Sequence, residues 1–167
     1  MTDLEQKMDT AFRVGKETEG TYGGCAQCAM AGVMQAMADG VITDDVFKSA
    51  TGLAAGIALS GHACGAVTGG VMCLSMYGGR EYTDFSNVEK KRKAYALGRQ
   101  LVQKFNDEYG SIDCSEIQKK IMGRSFNMAD PDEFKLFDES GGHVDYCPNV
   151  CGNAAKWVIE ILAENGL

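Results

Sequence analysis

Seven cysteines, at positions 25, 28, 64, 73, 114, 147 and 151, are the residues of this chain best suited to chemistry. Four of them stand where a helix is expected to begin. Cys25 follows Gly24 at the start of a helical stretch, Cys64 lies in the first turn of another, Cys114 follows Asp113, and Cys147 precedes Pro148 at an N-cap position. A helix N-terminus carries about half a positive charge and unpaired N–H groups, which favour thiolate over thiol and donate hydrogen bonds to sulfur. If the four helices converge, they form an electropositive socket for an anionic metal–thiolate cluster or for reactive thiolates. Cys114 is then expected to ionise near neutral pH when no metal is present.

The other three cysteines divide by spacing. Cys28 lies three residues after Cys25 and Cys151 four after Cys147, so each shares a helix face with its partner and suits a supplementary ligand or a resolving thiol. Cys73, nine residues beyond Cys64, falls about 180° round an ideal helix and is expected to pack in the core. An odd number of cysteines cannot all be paired in structural disulfides. Covalent haem attachment fails because Cys25-Ala26-Gln27-Cys28 is followed by Ala29. A thioredoxin-type pair would need a preceding strand, and none is visible. Zinc stays open, since Cys25/Cys28 with Cys147/Cys151 offer two close pairs.

Other residue types offer less. His62 and His143, the only histidines, are expected to be satisfied polar residues in loops, and Trp157 to be core. Met30/Met34 and Met72/Met76 pair at i,i+4 as core stripes rather than a copper site. No Ser-His-Asp set, Rossmann glycine pattern or P-loop occurs. The formal charge of −7 and a pI near 4.8 speak against nucleic acid or anionic membrane as a partner. The one basic cluster, Lys90, Lys91, Arg92 and Lys93, follows Glu89 and suits a solvated helix face. With an acidic start, Met1-Thr2-Asp3-Leu4-Glu5, and no apolar secretory region, a cytoplasmic location is expected, where thiols stay free or metal-bound.

The elements that must position these thiols are helical. With 167 residues and only 2 prolines, a single all-α domain is expected, with residues 1–20 as an N-terminal helical extension. Helical periodicity places Leu4, Met8, Ala11, Phe12 and Val14 on a first helix, followed by a loop over residues 15–24. Further helices are expected over 25–38, from a Thr43-Asp44-Asp45 cap to Ser60, over 62–77, and over 86–109. Another opens at an Asp113…Glu116 capping box and ends at Gly123, the next opens at Asp130-Pro131, and the last runs from Pro148 to about Asn165. Ser49 to Gly79 contains no charged residue. It is rich in Gly and Ala rather than in large apolar residues, so it predicts two closely packed central helices broken at Ser60-Gly61 and not a membrane span.

The stretch Cys64-Gly65-Ala66-Val67-Thr68-Gly69 forms a C-G-A-x-x-G motif and resembles the C_GCAxxG_C_C family of redox-active proteins. The family's remaining cysteines are matched by Cys25 in Cys25-Ala26-Gln27, by Cys114 after 105–111, and by Cys147 ahead of Val150 and Ala154-Ala155. These are the same four thiols. The resemblance spans about residues 21–162 and implies a small redox protein, an electron carrier or oxidoreductase, with an unidentified redox partner protein. It leaves the cofactor undefined. Cys25, Cys64, Cys114 and Cys147 are accordingly the expected ligands of an iron–sulfur cluster or other iron centre, with Cys28 and Cys151 as supplementary donors. A metal-free thiol–disulfide protein using a pair such as Cys25/Cys28 and a zinc-stabilised interaction domain are the alternatives. A homo-oligomer is left open.

Overall fold

A computed structural model describes residues 1–167. The chain is all helical, as expected: α1 (Asp3–Tyr22), α2 (Cys25–Met37), α3 (Asp44–Ser49), α4 (Gly65–Gly78), α5 (Val88–Tyr109), α6 (Cys114–Met122), α7 (Pro131–Glu139) and α8 (Cys147–Glu164). Short 3₁₀ turns occupy Thr51–Leu53 and Tyr82–Asp84, and a wide π turn, Gly142–Tyr146, leads into α8. No helix is long and apolar enough to cross a membrane.

α1 packs along α8 and α2, and α4 lies between α2, α5 and α8. The main core gathers Met30, Val33, Leu74, Leu97, Leu101, Phe105, Val158 and Ile161. Trp157 is half-buried and packs against this core, its ring meeting Phe105 edge-on at 5.3 Å. Cys73 is fully buried in the same core. Among the methionines Met30 is buried and Met34 and Met72 pack against the core, whereas Met76 is largely exposed, because α4 turns that end of the stripe outward.

Three local expectations are corrected. Residues 15–22 are helix, not loop: α1 runs to Tyr22, its start held by a Thr2/Glu5 capping box. The glycines that suggested a loop serve close packing instead. A Cβ on Gly15 would stand 3.0 Å from the Cys151 carbonyl oxygen, so only a bare backbone lets α1 approach α8 this closely. Thr18 and Thr21 fit the helix by donating to the carbonyls of Val14 and Glu17, each at 2.7 Å.

The third helix ends at Ser49, not Ser60, and α4 begins at Gly65 rather than His62. Between them Ala55, Gly56, Ile57, Ala58 and Leu59 all adopt positive φ, from 49° to 79°. Such a left-handed run costs L-residues roughly 1–2 kcal/mol each. It is held by wide backbone bonds, Ala58 N–H to Gly52 at 2.8 Å and Gly61 N–H to Ala55 at 3.0 Å. Thus one central small-residue helix forms, α4, where two were expected.

Two caps also differ. Thr43 and Asp113 sit at N-cap positions, yet neither side chain accepts a bond. At α6 the first N–H groups have other partners: Cys114 donates to His62 at 2.7 Å and Ser115 to Gly61 at 3.0 Å. Glu116, freed from the box, pairs with Lys119. Asp130, by contrast, caps α7 through the N–H groups of Asp132 and Glu133.

Candidate functional site

The four helix starts meet. Cys25, Cys114 and Cys147 are the first residues of α2, α6 and α8, and Cys64 is the N-cap of α4. All four line one recess of about 210 Å³, together with Cys151. Each is positioned by a different device. Gly23 and Gly24, both at positive φ, turn the chain sharply so that Cys25 opens α2. An isolated antiparallel bridge between Ala63 and Asp113 fixes the next two, with Cys64 N–H donating to Ile112 at 2.8 Å and Cys114 N–H to His62. Cys147 follows the π turn and packs against Phe126, Met128 and Phe137, a small apolar cluster separate from the main core.

The thiols are packed against their surroundings rather than exposed. Cys25 and Cys64 interact through their side chains. The Cys25 Sγ also lies against Gly65, where an added Cβ would displace it. The Cys151 Sγ donates to the Cys25 carbonyl at 3.6 Å, which ties the α8 thiol to the start of α2. Cys28 faces away from the recess and donates to Gly23 at 3.1 Å. The Cys25/Cys28 spacing therefore does not create a thiol pair; the partner of Cys25 is Cys64, 39 positions on. No three His, Cys, Asp or Glu side chains already stand at ligating distance from a common point.

The electrostatics contradict one expectation. Cys114 was expected to ionise near neutral pH, but burial, with the neighbouring Cys25 and Glu19 adding to it, pushes its thiol up to about 12. Burial likewise pushes Cys147 and Cys151 well up, and the neighbouring Cys64 thiol together with burial does so at Cys25. The helix N-termini are present, but no lysine or arginine lines the recess to hold anionic sulfur. Without a cation, Cys25, Cys114, Cys147 and Cys151 stay neutral thiols at neutral pH.

Two further residues were not singled out from the sequence as part of the site. Glu19, on α1, lines the recess and is 3 % exposed. His143, expected as an ordinary loop residue, lines it too, with Nδ1 2.6 Å from Asp138 Oδ1. Glu19 had a sequence signal: it extends the buried Ala11–Gly15 stripe of α1 by another four residues, and an acid on such a face calls for a partner. His62 stays outside the recess.

Residues 24–161 match the family described as "Putative redox-active protein (C_GCAxxG_C_C)". The chain belongs to this family. The matched residues include the four helix-start cysteines, and these four lie in one recess. The match begins after α1, which nonetheless contributes Glu19 and Tyr22 to the C_GCAxxG_C_C recess. No curated protein and no solved structure matches the chain.

Proposed function

We propose that this protein carries electrons through an iron–sulfur or other iron centre held by Cys25, Cys64, Cys114 and Cys147, with Cys151 as a supplementary donor and Cys28, which does not line the recess, outside the set. The observation that carries the reading is the meeting of four helix-start thiols, the outermost 122 positions apart in sequence, in one recess with an apolar lining. An all-thiol set is a soft donor set that suits iron–sulfur clusters and zinc alike. The family's redox-active description favours iron, because zinc has no redox chemistry of its own. Iron supplies one-electron exchange when bound. The protein's own part is to gather the thiols and to keep water out with Leu59, Met128, Phe134 and Phe137.

Binding the metal releases the thiol protons, so the cation supplies the positive charge that the recess lacks. This chemistry requires a reducing compartment such as the cytoplasm, and a redox protein partner. The contact between Cys25 and Cys64 favours a second reading, in which these two thiols cycle through a disulfide without metal.

Protein purified without air, with metal analysis and visible absorbance recorded on the wild type and each cysteine variant, separates the two. Replacing any of Cys25, Cys64, Cys114 or Cys147 by Ser should abolish the visible bands and lower the iron content sharply, while Cys73→Ser leaves both intact. Colourless, iron-free wild-type protein that forms a Cys25–Cys64 disulfide on mild oxidation would establish the second reading instead.

A further inference from the structure

Glu19 is a buried acid that the cysteine pattern does not explain. It precedes the matched residues 24–161, and its Oε2 has no hydrogen-bond partner although the residue is almost wholly buried. Its Oε1 faces His143 Nε2 across 3.9 Å. That is too far for a hydrogen bond, and a charge-assisted one would close to about 2.7–2.9 Å. The opposite edge of the imidazole is held by Asp138 at 2.6 Å, and its ring stands edge-on to Phe137 at 4.9 Å. A carboxylate on Nδ1 with Nε2 turned into a recess is the arrangement that orients a metal-binding histidine. Cys28 and Cys151 neighbour the Glu19 carboxylate, but each thiol donates to a backbone carbonyl instead.

We propose that Glu19 and His143 are an oxygen–nitrogen donor pair of the thiol recess, placed to hold a borderline divalent cation such as Fe²⁺ or Zn²⁺ together with the recess thiolates. Bonds of about 2.0–2.2 Å from imidazole nitrogen and carboxylate oxygen to one tetrahedral ion place the two donors roughly 3.4 Å apart. The observed 3.9 Å is wider by about half an ångström, so the two side chains need only close slightly on the ion. An ion there offsets a buried anion that no lysine or arginine in the recess can offset, and a carboxylate bound through both oxygens also gives the orphaned Oε2 a partner. Burial alone pushes the Glu19 carboxyl up, so the position is costly for an acid that has no such role. The inference rests on the reading of the recess as a metal centre.

Cobalt(II) is the probe, titrated without air into the reduced, metal-free full chain. The wild type should show a sulfur-to-cobalt charge-transfer band, and X-ray absorption of its cobalt complex should contain nitrogen or oxygen neighbours beside sulfur. Glu19→Gln and His143→Gln should each weaken cobalt binding at least about tenfold and shift the d–d bands toward those of an all-sulfur site, with Cys73→Ser changing neither. Should Glu19→Gln fail to fold by circular dichroism, His143→Gln and the wild-type absorption spectrum decide. Unchanged affinity and bands in the variants, or a first shell of sulfur alone, overturns this inference and leaves the thiolate centre standing. Absence of the sulfur-to-cobalt band from the wild type overturns the thiolate centre and this inference with it.

Discussion

A thiol at a helix N-terminus is subject to two opposed effects, and their sizes decide between them. The terminus favours the anion by about 1 kcal/mol at an exposed site, and up to about 2 in partly buried geometry, which is roughly one pKa unit. At Cys114 burial and the nearby Cys25 and Glu19 raise the value from 9.0 to about 12, a larger effect of opposite sign. The metal-free protein should therefore alkylate at Cys114 only as the pH becomes strongly alkaline, with the residue followed by mass spectrometry of its peptide. Rapid alkylation with an apparent pKa near 7 would show that the N-termini outweigh burial. The four helix-start cysteines were legible because their start signals are local: Gly24 before Cys25, Asp113 before Cys114 and Pro148 after Cys147. The pairing of Glu19 with His143 was not, because it spans the chain and depends on how α1 lies against the π turn before α8.

Among the elements, those with strong punctuation came through and those shaped by tertiary contact did not. α5 to α8 end or begin at Gly110, Gly123, Asp130-Pro131 and Cys147-Pro148, close to where periodicity and caps placed them. The left-handed run over residues 55–59 had no such mark, since four of its five residues are Ala, Ile or Leu, which seldom adopt positive φ. Its conformation is imposed from outside: a Cβ on Gly56 would collide with the His62 backbone, and Ala55 and Leu59 form part of the recess wall. The small-residue reading of α4 does describe its packing. At Gly65 an added Cβ meets the Cys25 sulfur and stands 3.0 Å from both the Ala26 nitrogen and the Leu53 carbonyl oxygen. Gly65→Leu should cost at least about 1–3 kcal/mol in urea unfolding through overpacking, and it should lower metal binding because it drives Cys25 away from Cys64. Wild-type stability in that variant would mean that α2 and α4 are not pressed together here.

At the scale of the whole molecule, gathering so many buried thiols makes stability depend on pH, and the sign follows from their direction of shift. Burial raises Cys73 and Cys114 to about 12, and Cys25, Cys28, Cys147 and Cys151 are raised as well. Below the ordinary thiol value of about 8.5 both folded and unfolded chains keep these protons, and the stability is fully present. Above it the unfolded chain gives up protons that the folded chain retains, so stability falls as the pH rises toward the folded values. Each such thiol contributes a slope of up to about 1.4 kcal/mol per pH unit, and two suffice to remove about 5 kcal/mol between pH 9 and 11, comparable with the whole stability of a marginal domain. Thiols already ionised on a metal have no proton to retain and lose this dependence. Urea unfolding followed by circular dichroism across this alkaline range should therefore show the metal-free protein weakening steeply and the metal-loaded protein holding. Cys73→Ser, which removes one buried thiol outside the recess, should reduce the metal-free slope by about one proton's worth. A flat profile for the metal-free protein would mean that its thiols ionise as freely in the folded chain as in the unfolded one, and that water reaches the recess.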